Sequence, residues 1–147
     1  MTSETIERLQ QFFKKFPFFL LPSTKEEEIK QAEKTLGIQF DKQYTAFLKH
    51  FGPSYMGIGL FPLINEKHLG KGTTVINATL SFQDVHGKDL PEELANAYVI
   101  SDDGAGNPFL MNTAGHLYLY DHDSGEFELF SHSFKEICEK TLQEYSL

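Results

Sequence analysis

A chain of 147 residues with one cysteine is long enough for one domain with its own core, and it excludes an internal disulfide framework. Its formal charge of −8 argues against function classes that grip phosphate, namely nucleic-acid binding and adhesion to anionic membrane. The charge is also uneven: residues 1–88 carry 11 bases against 9 acids, whereas residues 89–134 carry nine acids and no lysine or arginine.

Taken in chain order, the first half predicts helices. Ser3 can cap a helix that places Ile6, Leu9, Phe12, Phe13 and Phe16 on one face and stops at Pro17. The apolar run Phe16–Leu21 is too short for a membrane span and no A-x-A site follows it, so it is expected to be a buried connector rather than a signal peptide. Ser23 and Thr24 each precede a glutamate by three residues, the capping-box spacing, and Gly37 sits where the helix carrying Ile29, Ala32 and Leu36 should end. A third helix is expected after Asp41, with Tyr44, Phe47, Leu48 and Phe51 at helical spacing and Gly52 at its close. Residues 57–64 read as a short strand. Residues 73–85 fit either period, and length favours a helix.

The second half predicts a meander. Residues 98–101, 109–111, 117–120 and 127–130 are short apolar or aromatic runs separated by DDGAGNP, NTAG and DHDSG. Such spacing favours antiparallel strands joined by hairpins. Ser133 and Glu136 form another capping box, opening a helix with Phe134, Ile137, Cys138, Leu142 and Tyr145 inward. The fold class is therefore α+β: a single domain over 1–147, with an N-terminal helix and connector over 1–22 and a core over 23–147. Its helices should pack on one face of a curved antiparallel sheet.

The polar clusters admit two readings each. Asp102, Asp103 and Asn107, interleaved with two glycines, have the chemistry of a hard-cation site and equally that of a tight turn; turn chemistry is the expected role. Asp121, His122 and Asp123 open like a calcium loop, but glycine occupies the fifth rather than the sixth position. The twelfth is His132 where a bidentate glutamate is required, so a hairpin turn is expected there too. The histidines at 50, 68, 86, 116, 122 and 132 form no ligand pair with zinc spacing. Cys138 falls on an apolar stripe and reads as a core residue. Gly57 and Gly59 lack the third glycine of a dinucleotide fingerprint, and no Walker lysine, nucleophile elbow or H-E-x-x-H is present. The sequence thus predicts neither an enzyme nor a bound metal or cofactor.

Several blocks, in their order along the chain, resemble the SUKH superfamily, which includes fungal cell-wall-synthesis regulators and bacterial immunity proteins. They are PSTKEEEIKQAEKTLGIQFDKQYTAFLKHFG, GIGLFPL, VISDDGAGNPFLMNTAGHLYLYDHDSGEF and SFKEICEKTL. The sequence departs from the usual pattern at Phe40-Asp41, where Leu-Pro is usual, at Asn112, where aspartate is frequent, and at Tyr120, where tryptophan is common. Asn112 and Tyr120 are expected on or near the binding face. The resemblance implies a non-catalytic α+β domain that binds and blocks a protein toxin, often a nuclease, in the cytoplasm of the producing cell.

Charge and resemblance converge on a basic protein partner captured by an acidic surface. The candidate partner-binding residues are Asp102, Asp103, Asn107, Asp121, His122 and Asp123. The competing readings are a regulatory scaffold in cell-wall synthesis or signalling, and a small-ligand or calcium-binding module. An exposed strand at the sheet edge would further allow pairing with a copy of the chain or with the partner.

Overall fold

The computed structural model describes residues 1–65 and 72–145; His68 lies outside them. Helix α1 spans Ser3–Lys15, and Thr2 rather than Ser3 caps it, accepting a hydrogen bond from the Thr5 N–H. Helix α2, Glu26–Leu36, begins a little later than the capping pattern suggests. Its N-cap is Lys25, whose side chain has no acceptor to offer an N–H, while the Thr24 N–H donates to the Leu48 carbonyl. Three glutamates in the first turn complement the helix dipole instead. Helix α3, Lys42–Phe51, starts as expected on Asp41, whose carboxylate accepts from the Tyr44 N–H.

Residues 73–85 resolve as helix α4, Val75–His86, capped by Thr74. Strands β1 (Tyr98–Asp102), β2 (Pro108–Met111), β3 (Leu117–Tyr120) and β4 (Phe127–Ser131) form one antiparallel sheet in sequential order, within a residue of the expected boundaries. Helix α5, Phe134–Glu144, closes the chain. Ser133 caps it, and the Glu136 carboxylate reaches back to the His132 N–H, 3.0 Å away.

Alternation along the strands divides the core. Tyr98, Ile100, Phe109, Met111 and Leu117 face the large cluster built by α1, α2, α3 and α5. Val99, Leu110 and Tyr120 face the other way, where Phe82 of α4 packs with Leu94 and Ala97. Four helices thus lie on one face, as anticipated. The fifth, α4, runs along β1 and turns its C-terminal half onto the opposite face, since Val75 belongs to the large cluster and Phe82 to the small one.

Two local expectations are overturned. Residues 57–64 form no strand. Gly57 adopts a φ of +76°, the Met56 N–H donates to the Ile58 carbonyl, and Pro62 has no N–H to extend a ladder. The segment nevertheless lies beside β1, where the Phe61 N–H donates to the Ile100 carbonyl at 2.9 Å and the Ser101 hydroxyl to the Gly59 carbonyl at 2.6 Å. The connector after α1 is not buried either. Pro17–Phe19 makes a 3-10 turn that directs Phe16 and Phe19 against the core and leaves Phe18 74% exposed.

Among the described residues, one buried side-chain polar atom has no hydrogen-bond partner. Tyr44 is fully buried, and its hydroxyl has no hydrogen-bond partner among the described residues. Burial holds its pKa well above the ordinary phenol value. Neighbouring Tyr98 differs, because its hydroxyl accepts from the Asp41 N–H at 2.8 Å. An unpaired buried hydroxyl costs about 1–3 kcal/mol. Tyr44→Phe is therefore expected to unfold at the same or higher urea concentration than the wild type, whereas Tyr98→Phe, which orphans the Asp41 N–H, should lower the midpoint. Destabilisation by Tyr44→Phe in urea titrations would show that the hydroxyl has a partner.

Candidate partner-binding surface

The six residues singled out in the sequence lie on two loops, β1–β2 and β3–β4, at the same end of the sheet. Each loop is built by its own carboxylates. Asp102 accepts from the Gly104 N–H. Asp103 accepts from the N–H groups of Ala105 and Asn107 and from the Asn107 side-chain amide. Asp121 accepts from the Asp123 and Ser124 N–H groups at 2.8 and 3.2 Å. The turn role is thus real for three of the four aspartates. Asp123 differs: among the described residues its carboxylate pairs with the His122 ring, 3.3 Å from Nε2.

The loops are tied to each other through Asn107. Its Nδ2 donates to Asp103 at 2.9 Å, so its Oδ1 points to the other loop. There it accepts from the His122 main-chain N–H at 3.1 Å and lies 2.6 Å from His122 Nδ1. Since an amide oxygen only accepts, Nδ1 is the donor, and both ring nitrogens face oxygens. Gly106 turns the loop at φ +89°, a left-handed conformation that favours glycine, and a Cβ there would only touch the imidazole at 3.4 Å, an ordinary contact.

Hydrogen bonding also favours the charged form of two of these carboxyls. The Asn107 amide and the Ala105 N–H hold the Asp103 carboxyl below its ordinary pKa, and the N–H groups of Asp123 and Ser124 do the same for Asp121. A lowered carboxylate stabilises the fold fully above its ordinary pKa and loses that contribution as pH falls through the lowered value. At neutral pH both are anions, on exposed loops.

Donor atoms of Asp121, His122 and Asp123 lie within 4.8 Å of one another. Three exposed donors, one of them engaged in its own turn, fall short of the six to eight oxygens a calcium ion takes. His116 and His132 pair on the sheet with ring centroids 6.0 Å apart, while His122 stays with the loops. Cys138 is fully buried, and burial pushes its thiol up to about 12, which makes it a packing group rather than a nucleophile.

A family model described as SMI1-KNR4 cell-wall (SUKH_5) matches residues 2–143. The chain belongs to the SUKH family. No curated protein matches it at a significant level.

Two departures of this SUKH chain from the usual pattern, Tyr120 and Asn112, are buried. Tyr120 is buried beneath α4, with its ring 5.0 Å from Phe82 and its hydroxyl 3.4 Å from His86 Nδ1. Asn112 is buried too, closing the β2–β3 turn through the N–H groups of Ala114 and His116 and bonding the Glu93 carbonyl. What the sequence reading missed lies at the start of β4 and just before it. Glu126 and Glu128 flank the loop cluster, and with Asn107, Leu119, Asp121 and Phe127 they line a cavity of about 310 Å³. No helix of the described residues is long and apolar enough to cross a membrane.

Proposed function

We propose that this SUKH domain is an immunity protein. It binds a basic protein toxin, with the nuclease domain of a secreted or contact-delivered toxin as the best-fitting class, and protects the producing cell from its cytoplasm without catalysis of its own. The observation that carries the reading is the Asn107–His122 tie, which joins two acidic loops into a single exposed surface in a stretch without one lysine or arginine. A toxin that grips phosphates carries basic groups in its own site, and an acidic surface competes for them.

The test is growth protection when the chain is co-expressed with candidate toxin domains of the nuclease class, followed by binding of the domain it neutralises at low and high salt. Asp121→Asn with Asp123→Asn keeps the turn acceptors and removes two charges. We expect the association rate to fall about tenfold at low salt and to approach wild type near 1 M salt, where the screening length is about 3 Å. An association rate and salt slope unmoved by the double change would remove electrostatic capture by this loop, and absence of protection by the wild type would remove the immunity reading.

A second reading is a scaffold in cell-wall synthesis. It draws on the cell-wall description of the matching family model. It predicts a partner among cell-wall enzymes and no rescue from any toxin.

A further inference from the structure

The two outer edges of the sheet are unlike. At β1 the edge is sealed. Thr79 of α4 accepts from the Val99 N–H at 3.0 Å, the Ile100 carbonyl accepts from the Phe61 N–H, and the Ser101 side chain holds Gly59. At β4 nothing comparable is found among the described residues. Glu128, Leu129 and Phe130 are exposed in succession, with Leu129 at 42% and Phe130 at 38%. The Asp121 N–H donates to the Glu126 carbonyl, and Leu119 pairs with Glu128. Counting outward from that bond, the alternation of an antiparallel ladder turns the N–H and C=O of Phe127 and Leu129 to the open side.

An open edge with exposed apolar side chains is a template for another strand. Native edges are commonly blunted by lysine, proline or a covering element, yet β4 contains no lysine or proline. Its bulge lies at the far end, opposite Leu117 and Tyr118. Charge selects the occupant. The carboxylates of Asp121, Glu126 and Glu128 border the cavity next to this edge, with no basic group among its lining residues. A second copy would bring the same carboxylates against them, whereas a basic strand would be attracted.

We propose that β4 is a strand-addition site, which takes an extended, lysine- or arginine-bearing segment of the partner protein as a fifth strand. Main-chain bonds form at Phe127 and Leu129. Apolar side chains of the segment cover Leu129 and Phe130, and one basic side chain enters the cavity among Asp121, Glu126 and Glu128. The proposal rests on the reading that the partner is basic, and it adds where and in what conformation that partner is held.

The probe is a nine-residue blocked peptide alternating lysine and valine. Its controls are the glutamate–valine counterpart and a lysine–valine peptide N-methylated at alternate residues, which cannot complete a ladder. Amide resonances of Phe127 and Leu129 are expected to shift and to exchange more slowly with the lysine peptide only. N-methylation should weaken binding by at least about tenfold, and Glu128→Lys should weaken it while leaving the melting temperature near wild type. Leu129→Pro serves as a second variant, because proline is tolerated where an edge N–H faces solvent. It should abolish the shifts. Equal binding by the N-methylated peptide, shifts confined to the β1–β2 and β3–β4 loops, or protection of β4 amides by self-association of the protein alone would each overturn the proposal. Toxin neutralisation that survives Leu129→Pro would overturn strand addition and leave the immunity reading standing. Peptide binding by a chain that protects against no toxin would do the reverse.

Discussion

Gly52→Ala is expected to destabilise this domain by more than about 4 kcal/mol, into the range that marks a specific structural failure. Gly52 follows α3 at φ +62° and ψ −163°, a conformation open essentially to glycine alone. A Cβ there would stand 1.9 Å from the Pro22 carbonyl oxygen and 2.8 Å from its carbon. Both are main-chain atoms, so no rotamer relieves the clash. The strap that carries Pro22 is itself anchored, by the Leu21 N–H on Ser54 and the Thr24 N–H on Leu48. Strain of about 1–3 kcal/mol adds to the loss of those contacts. At roughly 2–4 °C per kcal/mol the melting temperature should fall by more than about 8 °C. Gly37→Ala is the control. That residue also has positive φ, at +67°, but nothing lies within 4 Å of its Cβ position, so it should lose only about 1–2 kcal/mol. Equal losses at the two glycines would mean that the strap does not press on Gly52.

Phe134→Ala is expected to cost about 3–5 kcal/mol, the range for emptying a packed phenylalanine site. Phe134 opens α5, is fully buried, and sets its ring 5.1 Å from Phe47 and 5.6 Å from Tyr44. It therefore joins α5 to α3 inside the large cluster. Urea unfolding should show a lower midpoint with an unchanged slope. Leu142, expected to share this stripe, is only half-buried, and Thr141 takes the enclosed position on that turn. A loss below about 1.5 kcal/mol at Phe134 would place α5 outside the core.

The meander was legible because its turns carry glycine, asparagine and aspartate at positions where few other residues serve, and the intervening runs are too short for helices. The three early helices followed from apolar spacing and from Asp41 and Gly37. The placement of α4 did not, because a stripe of Val75, Thr79 and Phe82 does not say which face of a sheet it will meet. Residues 57–64 misled because apolar residues beside an edge look like a strand even when few main-chain bonds form. At the candidate surface, the six polar residues were visible as turn formers. Their convergence depends on a contact between Asn107 and His122, 15 residues apart, which no local pattern encodes. The sealed and open edges were equally hidden, since one threonine on α4 accounts for part of the difference.

The first and last helices meet: Arg8 Nη1 of α1 donates to both carboxylate oxygens of Glu139 of α5, across 131 residues. Among the described residues no strand pair joins positions more than 14 apart, the widest being Leu117 with Ser131. Closing a long loop carries a larger entropy cost than closing a hairpin, so the order of assembly follows from topology. The sheet can form early from neighbours, and the contact between α1 and α5 is expected to form late. By the same reasoning α1 is expected to open before the meander does, baring Phe12 and Phe13. Amide hydrogen exchange should then be faster at Leu9 and Phe12 than at Leu110; equal protection throughout would mean that the chain opens only as a whole.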